Sequence, residues 1–335
     1  MRLSLITLSG SEVMTLDAQP EWHLHDLQGC LHHRFTAQGM RARLFFNGAE
    51  LLPGKPLIEM GLEDGAQLGL VLAFEPRVAV ASMSGQAAIF SAASFEVLRR
   101  LEGGHEQAIW SVAFSPDGHS LLTASSDGTA KTWSTGTGQC LQTFRGHSGR
   151  VFSARFSPDG AMIATASSDR TAKIWHMKSG ECVQTLEDHG FDVYSAVFSP
   201  DGAQVLTASA SFAKVWSTES GQCLNTLECP RQIVQQAIFS VDGSKILTVS
   251  ETGYDQSDRV IWCAISGHRL PSSAAAAVDS AAEFPSEGEI SPDGSQKLVL
   301  SDGIVKISSV ASGELLHTFT GDNGRAVSAA AFSLQ

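Results

Sequence analysis

Histidines recur in this chain at a fixed beat. His105, His147 and His189 stand 42 residues apart. Histidine can ligate a metal, carry a proton or close a buried hydrogen-bond network. Three histidines separated by a whole repeat do not converge, so a shared metal centre is not expected of them. Each of the first two is followed at fixed distance by Ser, Asp and Trp: Ser125, Asp127 and Trp133, then Ser167, Asp169 and Trp175. A second series is aromatic. Trp110, Phe152 and Tyr194 occupy one repeat position, with Gln235 next in the series, Arg150 and Asp192 two residues before, and Ser126 and Ser168 in the turns. Large aromatics there exceed what turn chemistry requires, and aromatic anchors of this kind carry protein–protein binding energy. Their other use is packing between neighbouring units. His23, His25, His32 and His33 have no cysteine or carboxylate pair at ligand spacing, and Cys223 and Cys229 lack the paired knuckles of a zinc site. A Gly-x-Ser-x-Gly elbow, a His-Glu-x-x-His helix and a phosphate-binding Gly-x-x-x-x-Gly-Lys loop are all missing. No enzyme activity, cofactor or metal is expected.

The elements that must position these residues are short strands. Phe114-Ser-Pro-Asp-Gly118 recurs at Phe156, at Phe198, and with variation at Phe239 and Ile290. Proline fixes φ, aspartate caps the turn and glycine takes the left-handed position. Within one period, Val151–Leu186 reads as four strands separated by turns. One such four-stranded sheet cannot bury both faces, so copies must stack side by side. Cys140, Cys182 and Cys223 follow the same period and are expected to pack as small apolar residues at the start of strand four. Residues 251–288, with Pro271, Pro285 and Ala274–Ala277, read as an irregular loop. Residues 77–103 hold three strand-like runs and 326–332 a single one, so the two are expected to combine into one composite sheet.

The stretch from about residue 77 to 335 resembles the WD40 family. Gly104-His105 with Trp133, and Gly146-His147 with Trp175, are the marks of that resemblance. It implies a mainly β fold: a β-propeller of six blades, seven being possible, over residues 75–335. It also implies buried hydrogen-bond chains, here His105-Ser125-Asp127-Trp133 and His147-Ser167-Asp169-Trp175. The fourth unit, where Ser209-Ala210-Ser211 runs straight into Phe212, lacks the aspartate and is expected to be looser. Rings of this family bind partners on the face carrying Trp110, Phe152, Tyr194, Gln235, Arg150, Asp192, Ser126 and Ser168.

Residues 1–74 follow another grammar. Met1–Leu8 and Val13–Asp17 alternate as a hairpin, Trp22–Phe35 has helical spacing, and Arg43–Phe46 and Leu68–Ala73 are strands. Thr7-Leu8-Ser9-Gly10, Arg43–Gly48 and Leu70-Val71-Leu72 make this segment similar to ubiquitin, which implies an α+β β-grasp domain. Ubiquitin's apolar recognition patch would fall on Leu8, Phe45, Gly69 and Val71. Phe74-Glu75-Pro76 replaces a Gly-Gly end, and Lys55 is the segment's one lysine, so conjugation and chain building are not implied.

Of 335 residues, 43% are hydrophobic and 17% charged, enough for a buried core. The net charge of −12, with no basic run, argues against nucleic-acid and anionic-membrane partners. Six cysteines do not make a disulfide scaffold. No window approaches a membrane span and the first residues do not form a signal peptide, so a cytoplasmic location is expected, a nuclear one being possible. The expected function is a non-enzymatic protein-interaction scaffold, with ubiquitin–proteasome components as one class of partner. One alternative is a substrate receptor of a cullin-type ligase. The Trp-Asp-x-Arg pattern it favours is missing at Trp133, Trp175 and Trp216. A hydrolase or lyase site in the pore is the other alternative, and no convergent carboxylates support it.

Overall fold

The computed structural model describes every residue outside 7–11, 25, 28–39, 48, 52–55, 75, 102, 230–232, 253–255, 271–288, 292–293, 322–325 and 334–335. The chain divides into two compact units, Met1–Glu75 and Pro76–Gln335.

In the first unit, β1 (Arg2–Ile6), β2 (Glu12–Asp17), β3 (Met40–Phe46), β4 (Ala49–Glu50) and β5 (Gln67–Phe74) form one sheet in the order β2-β1-β5-β3-β4. β1 and β5 run parallel at its centre, and the other pairs are antiparallel. Alternation sends Leu3, Leu5, Leu44, Leu68 and Leu70 into one core, where Leu24, Leu27 and Leu57 meet them. Leu24, Asp26 and Leu27 are helical, while most of the helix expected over Trp22–Phe35 lies outside the described residues. The short β4 and a 3-10 turn at Leu57–Met60 were not expected. Each is too brief to leave a periodic signal.

The second unit holds six sheets among the described residues. Sheet 1 contains β6 (Arg77–Ser82), β7 (Ala87–Ser91) and β8 (Val97–Arg100). Sheet 2 is β9 (Ile109–Phe114), β10 (Ser120–Ser125), β11 (Thr129–Ser134) and β12 (Cys140–Arg145). Sheet 3 is β13 (Val151–Phe156), β14 (Met162–Ser167), β15 (Ala172–His176) and β16 (Cys182–Leu186). Sheet 4 is β17 (Val193–Phe198), β18 (Gln204–Ser209), β19 (Phe212–Ser217) and β20 (Cys223–Glu228). Sheet 5 is β21 (Ile233–Phe239), β22 (Lys245–Thr252) and β23 (Gln256–Cys263). Sheet 6 is β24 (Glu289–Ile290), β25 (Gln296–Ser301), β26 (Ile304–Ser309) and β27 (Leu315–Thr320). The last strand, β28 (Val327–Phe332), pairs antiparallel with β6 and completes sheet 1. β22 and β23 correct the reading of 251–288 as one irregular loop. The strand runs to Cys263 because Val260 and Trp262 are buried against sheet 4, and within this stretch 253–255 and 271–288 fall outside the described residues.

First strands meet first strands: β28 with β9, β9 with β13, β13 with β17, and β17 with β21. Burial grades outward from this line. β10 is buried along its whole length because both faces of its sheet are covered, whereas the fourth strand β12 is mostly exposed. The turns after β9, β13, β17 and β21 are locked by their own side chains. Ser157 Oγ donates to Asp159 Oδ1 (2.5 Å), and the same oxygen accepts the Ala161 N–H (3.0 Å). Gly160 sits at φ 70°, where a side chain would be strained.

Candidate protein-binding face

The periodic histidines are held inside their own sheets. Trp133 Nε1 donates to Thr123 Oγ1 at 2.9 Å, Thr123 Oγ1 lies 2.7 Å from His105 Nε2, and His105 Nδ1 lies 2.8 Å from Asp127 Oδ2. Sheet 3 repeats this through Trp175, Thr165, His147 and Asp169 at 2.8, 2.7 and 2.7 Å. An indole can only donate, so the threonine oxygen accepts, its hydrogen goes to Nε2, and Nδ1–H points at the carboxylate. Ser125 and Ser167 are therefore not the bridging hydroxyls that the family resemblance implied. Thr123 lies two residues earlier on the same face of β10, within reach of the indole. Ser125, at the strand end, donates instead to the Ala108 carbonyl (2.9 Å) and accepts the Asp127 N–H (3.2 Å). Burial works to raise the pKa of Asp127 and Asp169, but hydrogen bonds from the histidine and from Thr129 or Thr171 outweigh it and hold both below the ordinary carboxylate value. Burial pushes the pKa of His147 down, against the pull of Asp169.

Sheet 4 keeps Trp216, Thr207 and His189, at 2.8 and 2.9 Å, without the aspartate. In sheet 5 the buried Cys229 lies 3.9 Å from Thr248, which accepts from Trp262 at 3.0 Å.

The aromatic series owes its placement to a feature the sequence did not reveal. The ladder between first and second strands slips at Ile109/Ser111, Val151/Ser153, Val193/Ser195 and Val234/Gln236. The extra residues are Trp110, Phe152, Tyr194 and Gln235. A bulge leaves its residue outside the pairing and turns its side chain out of the alternation. The three rings then line up across three neighbouring sheets. Trp110 and Phe152 meet edge to face with centroids 6.2 Å apart, and Phe152 and Tyr194 lie 5.7 Å apart. Trp110 Nε1 donates to Ser126 Oγ at 2.6 Å. Trp110 is 36% exposed, Phe152 and Tyr194 are half-buried, and Gln235 is exposed. The row thus packs across the junctions and still presents a surface.

The polar members are less convergent. Ser168 Oγ accepts the Arg150 N–H at 2.8 Å, and the Asp192 carbonyl accepts from Ser209 Oγ at 2.9 Å. Among the described residues, no ion pair or side-chain hydrogen bond engages the Arg150 or Asp192 side chains. Cys140, Cys182 and Cys223 are exposed rather than packed, because the fourth strand is the outer one. In the first unit, Phe45 is half-buried and stands opposite Gly69, while Val71 stands opposite Arg43. Leu8 lies outside the described residues.

The family model for the WD domain, G-beta repeat, matches residues 95–134, 138–176 and 180–217. These three stretches match WD40 repeats. Each matched stretch takes the fourth strand of one sheet and the first three of the next, so every WD40 repeat straddles two sheets and ties them covalently. Over 104 residues, 29% of the chain, the sequence is 35% identical to WD repeat-containing protein 1 of Gallus gallus. Over 47 residues, 14% of the chain, it is 47% identical to WD repeat-containing protein 86 of Homo sapiens. Those stretches make up 17% and 12% of the two relatives. A mainly β unit of neighbouring sheets with WD40 repeats is consistent with a propeller, and WD40 repeats generally serve protein interaction.

Proposed function

We propose that this chain is a non-catalytic scaffold whose WD40 unit grips a protein partner through Trp110, Phe152 and Tyr194. The observation that carries this reading is the aromatic row on successive bulges. It is partly open to solvent, and its rings are braced against one another, so little side-chain freedom remains to be lost on binding. Gln235, Ser126, Ser168, Arg150 and Asp192 would supply the polar margin. The first unit binds ubiquitin-pathway components through Phe45, the described member of the patch that the ubiquitin resemblance assigns to Leu8, Phe45 and Val71. The strand order β2-β1-β5-β3-β4 with its parallel central pair supports a ubiquitin-like reading of that unit. Holding two partners on one chain raises the effective concentration of one near the other and needs no catalysis.

The test is affinity capture with the full chain, comparing Trp110→Ala, Phe45→Ala and an outer-strand control, Leu141→Ala. The expected result is that Trp110→Ala loses one set of partners, Phe45→Ala loses another, and the control loses none. Retention of every partner by both variants overturns the assignment.

A further inference from the structure

Sheet 4 departs from sheets 2 and 3 at one place, and a pocket lies there. The turn between β18 and β19 is one residue shorter than its counterparts, so Ser209 pairs with Phe212 and no carboxylate stands between them. The rest of the relay survives with its direction intact. Trp216 donates to Thr207, and Thr207 lies 2.9 Å from His189 Nε2, closer than the 3.4 Å to the Lys214 carbonyl. The imidazole hydrogen is thereby left on Nδ1. In sheets 2 and 3 that N–H meets an aspartate at 2.8 and 2.7 Å. His189 is 1% exposed and its Nδ1 is buried; the Arg170 backbone carbonyl interacts with the imidazole, but no acceptor meets Nδ1 with full hydrogen-bond geometry. A buried donor so poorly met is costly to keep. Beside it is a pocket of about 480 Å³ lined by His189, Gly190, Phe191, Phe212, Lys214 and Glu228, among others.

We propose that this pocket takes the carboxylate of an aspartate or glutamate side chain from a protein partner, completing between two molecules the relay that sheets 2 and 3 complete within one. Three donors fit that group. His189 Nδ1–H is the first. The Gly190 N–H is the second: it holds the position of the Glu106 and Ser148 N–H groups, which donate to the sister aspartates at 3.2 and 3.0 Å. The third is the Lys214 ammonium, which has three hydrogens and donates to the Asp188 carbonyl (2.7 Å) and Oδ2 (2.9 Å). The Asp188 carboxylate is 93% exposed, so an incoming carboxylate shares or displaces a solvated partner, not a buried one. Glu228 adds negative charge at the rim, which disfavours small free anions that bring no apolar contact. Phe191, 57% exposed, and Phe212, in the place of Thr129 and Thr171, supply an apolar wall for the residues flanking a peptide carboxylate. Only the source of the carboxylate rests on the scaffold reading.

The experiment uses the full chain labelled with 15N-histidine and follows the His189 ring signals by NMR. The probes are acetyl-Ala-Leu-Asp-Leu-Ala-amide, its asparagine counterpart and sodium acetate. The aspartate peptide is expected to shift the His189 signals saturably and to bind about tenfold or more tighter than the asparagine peptide, as charge-assisted hydrogen bonds require. Lys214→Gln should weaken it by a similar factor, and His189→Gln, followed by the fluorescence anisotropy of a dye-labelled form of the same peptide, should abolish it. Equal responses to the two peptides, or none, overturn the carboxylate site. Acetate binding as tightly as the peptide overturns the protein source. Trp110→Ala should leave peptide binding unchanged, so the pocket and the aromatic row fail or stand separately.

Discussion

At the residue scale, one hydroxyl in each repeat does more than its neighbours. Thr165 satisfies the indole of Trp175 and the imidazole of His147 together, whereas Ser167 caps the turn through the Asp169 N–H. Thr165→Val keeps the shape and leaves two buried polar groups unpaired, which should cost about 3 kcal/mol. Ser167→Ala removes one local contact and should cost about 1 kcal/mol. Urea unfolding followed by tryptophan fluorescence checks the order, and a reversed order would return the relay to the serine. The sequence could not distinguish them. Both hydroxyls lie two residues apart on one strand face, both recur with the period, and only the reach of the indole selects between them. The histidines and aspartates were legible because their spacing repeats and a turn aspartate has few other uses. The exposed cysteines were misread because a small apolar residue on an outer strand has the same period as one in the core.

At the element scale, sheet 4 should be the sheet most sensitive to acid. Burial and the Lys214 charge push His189 down to about 4, against the Arg170 carbonyl and Asp188. Its pKa in the unfolded chain is about 6.5. Between these values the unfolded chain binds a proton that the folded chain refuses, so folding loses stability as pH falls through this window and is unaffected by His189 above it. The loss should approach about 1.4 kcal/mol per pH unit in mid-window. Other groups titrate too, so the informative quantity is the difference between the parent and His189→Gln in unfolding free energy from pH 7 to pH 4.5. The variant should fall less steeply by close to one proton. Parallel slopes would mean that His189 is protonated in the fold. The same scale explains why the aromatic row was only partly readable. The repeat spacing put Trp110, Phe152 and Tyr194 in register. The bulge that lifts them out of the strand alternation is a backbone event, carried by no distinctive residue type at that position.

At the scale of the whole molecule, the second unit depends on a pairing between segments some 250 residues apart. Val327 stands opposite Ser82, Ala330 opposite Val80 and Phe332 opposite Val78, and Ser333 exchanges backbone and side-chain hydrogen bonds with Arg77. β28 also lies against β9 of sheet 2 and β25 of sheet 6, so one strand serves three sheets. Repeats were legible in the sequence because every period carries the same turn chemistry. The pairing carries no turn signature of its own; it is expected from the complementarity of two incomplete units, three strand-like runs in 77–103 and one in 326–332. Ending the chain after Ala326 removes the buried Val327, Ala329, Ala331 and Phe332 and exposes β6, an apolar edge that invites other strands. The shortened chain should therefore lose amide protection in β6 and β9 by hydrogen exchange and should aggregate on concentration. A synthetic peptide of residues 326–333 binds only the folded unit, so adding it should restore protection in a concentration-dependent way. Restoration by a scrambled peptide of the same composition, or unchanged protection in the shortened chain, would show that the strand is an accessory and that the sheets hold one another without it.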